Sequence, residues 1–297
     1  TFDPRFTSSY AGAAYPKDKD VVIVIDSSSS TKANSGSPGK QIIVIAKDAA
    51  NNVLSTLTPN DRVGIVSFNS EASTPSDGCY GRELAFASKV TVKSLSSHIF
   101  EKIQPSSSIE KNFEGALIKA FRYFENATDS FDNREQIIIF LTTDKHTTGR
   151  NPVQVIGELN QKFGNKIRVF TYLIGQNAAA KTVLLEMANQ MLTNTSYGEK
   201  QIGRFDEFPY EKQKELSPVV ATFYVHLSPE GDSMPTFTVP YVDPFSEEGL
   251  ITSYCITIKS IGGDLRGVMC TDVKVSELLR EVEHFSEDEY SYAFIID

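Results

Sequence analysis

Asp26, Ser28 and Ser30 stand at alternate positions in Asp26-Ser27-Ser28-Ser29-Ser30, directly after the apolar run Val21-Val22-Ile23-Val24-Ile25. Alternate residues of a tight loop project to the same side, so one carboxylate and two hydroxyls can converge as hard oxygen donors. Such donors suit Mg²⁺, Mn²⁺ or Ca²⁺. A serine-rich loop also serves as a helix cap or a plain turn, and the spacing alone does not separate these uses. The location adds weight, because an open α/β sheet binds its ligands at the carboxyl ends of its strands.

Donors in a loop need elements to hold them. Strands are expected at Val21–Asp26, Arg62–Phe68, Gln136–Thr142 and Ile167–Ile174, with a shorter one near Tyr197–Ile202. Between them, Ile42–Leu57, Leu95–Gln104, Phe113–Asn126, Pro152–Phe163 and Ala178–Leu192 carry apolar residues at helical spacing. Val21–Ile25 and Gln136–Leu141 have apolar residues for both faces, which marks central strands covered on each side. The expected class is α/β, a doubly wound and mostly parallel sheet.

Over roughly Asp20 to Phe205 the chain resembles the von Willebrand factor type A (VWA) family. Besides Asp26-x-Ser28-x-Ser30, the resemblance rests on Pro59-Asn60-Asp61-Arg62-Val63-Gly64-Ile65-Val66-Ser67-Phe68-Asn69, Asn112-Phe113-Glu114-Gly115-Ala116-Leu117, Ile138-Ile139-Phe140-Leu141-Thr142-Thr143-Asp144 and Val169-Phe170-Thr171-Tyr172-Leu173-Ile174-Gly175. It implies a Rossmann-like fold and a metal-ion-dependent adhesion site. That site is built from Asp26, Ser28, Ser30, a threonine of a middle loop and Asp144. Two positions depart from the family pattern. Lys111 stands where the threonine belongs, and Lys145 replaces the glycine that usually follows the aspartate. An ammonium near Asp26 and Asp144 would repel a dication and could neutralise the two carboxylates in its place. Two outcomes are open: Lys111 has displaced the Mg²⁺ or Ca²⁺, or Ser107 or Ser108 supplies the missing hydroxyl.

The flanks carry a second resemblance. Phe2-Asp3-Pro4-Arg5-Phe6-Thr7-Ser8-Ser9-Tyr10-Ala11-Gly12-Ala13-Ala14 is similar to the first block of extracellular Cache sensor domains, and Phe237–Pro244 and Gly267–Val273 are similar to the next two. Since these blocks are contiguous in an ordinary Cache domain, the resemblance implies an α+β, PAS-like Cache domain with an antiparallel sheet, interrupted by the VWA domain. The expected organisation is residues 1–19 and 206–297 as the two Cache parts, the second incomplete, and 20–205 as the insert. A compact domain with adjacent termini can be spliced into an exposed loop without unpairing its host's sheet. This architecture resembles the auxiliary alpha-2-delta subunits of voltage-gated calcium channels and related VWA and Cache membrane proteins. Of the amino-acid-binding positions the Cache resemblance implies, Tyr10 and Asp243 are present, whereas Thr7 and Ser9 occupy the arginine and tryptophan positions. A hydroxyl does not replace a bidentate guanidinium, so an ordinary α-amino acid is not an expected ligand; an amine without a carboxylate stays open.

Composition narrows the function classes. With 38 acidic and 29 basic residues the formal charge is −9, which argues against a nucleic-acid surface. Lysine-rich stretches that would face anionic lipid are absent, and no apolar stretch approaches the length of a membrane span. The chain lacks an initiator Met and stops in Tyr292–Asp297, which reads as a strand about to turn; the expectation is a piece of a longer, membrane-associated, extracellular protein. Strands over Thr252–Lys259 and Arg266–Val273, turned at Gly262-Gly263, would set Cys255 opposite Cys270, as a disulfide or as two facing thiols. Cys79 has no evident mate. Asn126-Ala127-Thr128 and Asn194-Thr195-Ser196 are glycosylation sequons.

Catalysis is not expected. His98, His146, His226 and His284 are scattered, with only His146 near a site residue, and no glycine-rich phosphate loop follows the first strand. The favoured expectation is a non-enzymatic module that binds a protein partner, of channel or receptor class, through the loops around Asp26, Lys111 and Asp144. The alternatives are small-molecule sensing near Tyr10 and Asp243, and a structural element of a cell surface or appendage.

Overall fold

The computed structural model describes residues 3–34, 40–76, 78–127, 134–190, 203–227, 235–238, 240–242, 249–260 and 265–278. Its main sheet contains β1 (Lys19–Asp26), β2 (Arg62–Phe68), β3 (Ala72–Ser73), β4 (Ala85–Phe86), β5 (Glu135–Thr142), β6 (Arg168–Ile174) and β7 (Phe205–Phe208). The order is β3-β2-β1-β5-β6-β7, with β4 on β2, and the five longest members run parallel. Every residue of β1 is buried, as a strand covered on both faces requires. Val21, Ile23 and Ile25 pack into one core with α2 (Ile42–Thr56), while Val22 and Val24 pack into a second core with α4 (Phe113–Asn126) and α5 (Pro152–Gln161).

This topology determines where a ligand can sit. The chain leaves β1 to build β2 on one side and later returns to build β5 on the other. Connections therefore diverge at the carboxyl ends of β1 and β5, opening a crevice there. Asp26 ends β1 and Thr142 ends β5. The register pairs Ile25 with Leu141, so Asp26 and Thr142 emerge side by side.

Two elements differ from expectation. The helix expected at Leu95–Gln104 begins earlier, as α3 (Lys89–Ser97), and passes into a π-helical turn over His98–Lys102. The buried Lys47 of α2 donates its ammonium to the Phe100 carbonyl at 3.1 Å, satisfying an acceptor of that wide turn. The strand expected at Tyr197–Ile202 lies outside the described residues. The strand that pairs with β6 is β7, further along, so the main sheet runs three residues past the expected boundary at 205.

At the amino ends of the strands a buried ion cluster ties neighbours together. Arg62 holds Asp20 with two hydrogen bonds of 2.8 Å, Arg134 reaches the same carboxylate at 2.8 Å, and Lys19 pairs with Asp61 at 3.3 Å. Each carboxylate is shared or bidentate, which offsets the cost of taking these charges out of water.

A second, antiparallel sheet consists of β8 (Thr236–Phe237), β9 (Tyr241–Val242), β10 (Leu250–Lys259) and β11 (Leu265–Lys274). The opening helix α1 (Ser8–Ala14) packs against β10 and β11 and also against α2. The helix α7 (Leu216–Ala221) lies along α2 as well. Tyr224 donates to the Arg5 carbonyl at 2.8 Å, and Asn52 of α2 donates to Ser217 at 2.6 Å. Thus α1 and α7, from before β1 and after β7, form one layer over α2, with the second sheet against α1.

Candidate functional site

The first loop is shaped by its own carboxylate. Asp26 is 2% exposed, and its Oδ1 accepts from the Ser28 N–H at 2.8 Å, turning the chain so that Ser28 and Ser30 follow on one side. Ser27 faces the other way, its N–H and hydroxyl both donating to the Phe68 carbonyl at the end of β2. Asp26 Oδ2 accepts from the Thr142 hydroxyl at 2.9 Å, the Thr143 N–H at 3.2 Å and the Thr143 hydroxyl at 3.0 Å. Both oxygens of this buried carboxylate are thus supplied with donors.

The hydroxyls form a run. Ser28 Oγ and Ser30 Oγ are 3.0 Å apart, and Ser30 Oγ and Thr143 Oγ1 are 2.6 Å apart. Each hydroxyl has a single proton. Because Thr143 gives its own to Asp26, Ser30 must donate to Thr143 and Ser28 to Ser30. The three protons point inward along a chain that ends on the carboxylate, and lone pairs are left to face outward.

Asp144 sits beside this run on the loop after β5. Its Oδ1 accepts from the Lys145 N–H and from Asn177 Nδ2, both at 2.7 Å. Asn177 is the N-cap of α6 (Ala178–Asn189), its Oδ1 accepting from Ala180 N–H at 3.0 Å. One side chain thereby starts a helix and fixes the site carboxylate. On the same loop, His146 is part-buried against Phe113, ring centroids 5.8 Å apart, and its Nδ1 has no partner among the described residues. Burial and the neighbouring Lys145 hold this imidazole below its usual pKa.

Lys111 is 3% exposed. Its backbone is bound to the Asp144 loop, N–H to Thr147 Oγ1 at 2.8 Å and carbonyl from Thr147 N–H at 3.0 Å. Among the described residues no ion pair joins its ammonium to Asp26 or Asp144. Neutralisation of the two carboxylates by Lys111 therefore has no contact in this geometry. Ser107 and Ser108 do not enter the hydroxyl run either: Ser107 is exposed, and the Ser108 hydroxyl accepts from the Glu110 N–H. The third hydroxyl of the run belongs to Thr143. Its signal in sequence is the Thr142-Thr143 pair ending a strand in register with β1.

The remaining candidates lie elsewhere. Tyr10 is half-buried on α1, and its phenol is raised above its usual pKa by burial; Asp243 is outside the described residues. Thr7 caps α1 by accepting from the Tyr10 N–H and exchanges a 3.2 Å hydrogen bond with Ser9, so both are used within the helix's first turn. Cys255 and Cys270 are paired across β10 and β11 with their sulfurs 2.13 Å apart. Asn126 is exposed at the end of α4, where its Nδ2, the atom a glycan would occupy, donates to the Arg82 carbonyl at 2.7 Å. Asn194 lies outside the described residues, and so does the side chain of Cys79.

A parallel sheet that reverses its order beside an Asp-x-Ser-x-Ser loop defines a class of ligand-binding α/β domains. The family model for the von Willebrand factor type A domain matches residues 20–207, and the chain belongs to that family. Over 310 residues it is 26% identical to the voltage-dependent calcium channel subunit alpha-2/delta-3 of Rattus norvegicus, an alignment covering 99% of this chain and 26% of that protein. The Homo sapiens counterpart gives the same identity and coverage over 318 residues. The chain spans about a quarter of the length of these relatives.

Among solved structures, a von Willebrand factor type A protein from Catenulispora acidiphila superposes with a TM-score of 0.55 at 13% identity, covering 87% of this chain and 66% of that one. Proximal thread matrix protein 1 of the mussel byssus, solved with a zinc-occupied metal-ion-dependent adhesion site, gives a TM-score of 0.51 at 17% identity, covering 76% and 50%. At these identities the likeness concerns the fold.

Proposed function

We propose that this chain is a non-enzymatic, extracellular interaction module whose Asp26 face holds a divalent cation and, through it, a carboxylate of a protein partner. The observation that carries the reading is the hydroxyl run ending on Asp26. Adjacent oxygens around an octahedral ion bound at 2.0–2.1 Å lie about 2.9 Å apart, and the separations here are 3.0 and 2.6 Å. Ser28, Ser30 and Thr143 would hold the ion with Asp144, while Asp26 orients the hydroxyls from behind. Bound there, the ion would supply a positive centre with positions left for oxygens from outside the chain. A partner carboxylate is the group that such an ion attracts.

Similarity to alpha-2/delta subunits supports a membrane channel or receptor as the partner class, with the layer over α2 as the two parts of a Cache domain interrupted by the insert. It also supports a cell-surface location. No helix among the described residues is long and apolar enough to cross a membrane.

Isothermal titration with Mg²⁺ and Ca²⁺ tests the reading. The wild type should give saturable heat, Ser30→Ala should bind at least tenfold more weakly, and Asp26→Ala should give none. A silent wild type would eliminate the ion and move recognition to another surface.

A further inference from the structure

We propose that the groove along α3 and its π-helical turn binds a sulfated polysaccharide, as a second recognition surface apart from the Asp26 face.

The groove has a volume of about 630 Å³, with Lys89, Lys93, His98 and Lys102 as its basic members, Glu101 as its carboxylate and Val90 as its apolar side chain. Ser94 and Ser97 complete the lining. These residues recur as neighbouring pairs, four positions from one pair to the next. In a regular α-helix each step of four overshoots a full turn by about 40°, so such a stripe winds off its face within a few steps. The π-helical turn over His98–Lys102 carries more residues per turn and takes back part of that drift. Beneath it, the Lys47 ammonium reaches the Phe100 carbonyl at 3.1 Å. The turn thereby brings His98 and Lys102 onto the groove that Lys89 and Lys93 begin. Wide turns of this kind recur at functional sites.

Lys89, Lys93 and Lys102 are exposed, and among the described residues no ion pair joins them to a carboxylate. Elsewhere Lys40, Lys162 and Lys181 lie against Asp48, Glu125 and Glu207. Three ammoniums thus face water along roughly 20 Å of helix, with Glu101 as the opposing charge in the groove. The formal charge of −9 belongs to the whole chain, and at physiological salt exposed charges more than about 8 Å away are largely screened. A positive strip on an acidic protein therefore keeps its local attraction.

The lining selects the ligand. An open strip with spaced cations suits an extended polyanion. Protein segments are held mainly by aromatic and arginine anchors seated in well-packed pockets, and Val90 alone makes no such pocket. The Ser94 and Ser97 hydroxyls suit an anion that itself carries hydroxyls. Basic patches are recurrent heparin-binding surfaces. Lysines four and nine positions apart form no charge run, so the strip emerges only on folding.

Fluorescence anisotropy with a labelled heparin oligosaccharide, over a series of salt concentrations, tests this. The wild type should bind, more weakly as salt rises. Lys89→Gln, Lys93→Gln and Lys102→Gln together should lower affinity about tenfold, and Glu101→Gln should raise it. Lys166→Gln, Lys212→Gln and Lys214→Gln together remove the same charge from other exposed positions and should leave binding unchanged. No binding by the wild type at low salt, or an equal loss in both triple variants, would overturn the proposal. Competition by poly-glutamate as strong as by heparin would also overturn it and assign the groove to an acidic protein segment. Asp26→Ala should bind the oligosaccharide like wild type; a loss there would place the polysaccharide on the Asp26 face instead.

Discussion

At the scale of single residues, the site separates what spacing reveals from what only direction reveals. Asp26, Ser28 and Ser30 are legible because alternation in a tight loop is a local property. Thr143 is not, since its hydroxyl reaches Asp26 only through the pairing of β5 with β1. Lys111 is legible as a charge in an unusual place, yet a sequence cannot say where a four-carbon stem points. Another pair shows how a local contact becomes a solution property. His226 Nδ1 lies 3.1 Å from Arg204 Nη1, and Arg204 is held by Asp206 at 2.6 Å. The ring nitrogen must accept, so it is neutral in this arrangement, and burial with the facing Arg204 cation holds its pKa below the usual value. The folded pKa is lower than the unfolded one, near 6.5, so as pH falls through 6.5 the unfolded chain takes up the proton first. Stability is then lost from about pH 6.5 down to the folded pKa. Urea denaturation at pH 7.5 and 5.5 should show a drop that shrinks in His226→Gln; an equal drop in the variant would reject the assignment.

At the scale of elements, strands were legible where both faces are apolar, and each of the four longer parallel strands lies within a residue or two of its expected bounds. The π-helical turn after α3 was not, because nothing in His98–Lys102 departs from helical periodicity; a distant lysine on α2 accommodates it. Gly64 is the element-level position with the clearest cost. A β-carbon there would stand 3.0 Å from three ring atoms of Tyr123, whose hydroxyl donates toward the carbonyls of Ile65, at 3.2 Å, and Tyr80, at 2.6 Å. With α4 fixed against β2 by that phenol, the ring has little freedom to withdraw. Gly64→Ala should cost about 1–3 kcal/mol, measured as a lower urea midpoint, and pairing it with Tyr123→Leu should recover part of the loss.

At the scale of the whole molecule, the opening segment shares a core with the VWA domain. Ala11, Ala14 and Tyr15 are buried in the same cluster as Ala49, Ala50 and Val53 of α2 and Val220 of α7. Sequence indicated that the two ends of the chain belong together, through short blocks at either end. It could not indicate that they would meet over α2, since that depends on which helix faces are apolar in three dimensions. A truncation that keeps only residues 20–207 exposes the α2 face. It should unfold at lower denaturant and bind an apolar dye that the full chain does not. Equal stability of the two forms would mean that the outer layer contributes nothing to the fold.

The ion cluster of Asp20, Arg62 and Arg134 lies at the opposite pole of the sheet from Asp26. Asp26 lies six steps along the extended strand from Asp20, roughly 20 Å, and sites that far apart with no shared partner behave as independent variables. Robustness and recognition are thus adjustable separately: a tether, dye or crosslink placed at the lower rim leaves the upper loops free to report on whatever they meet.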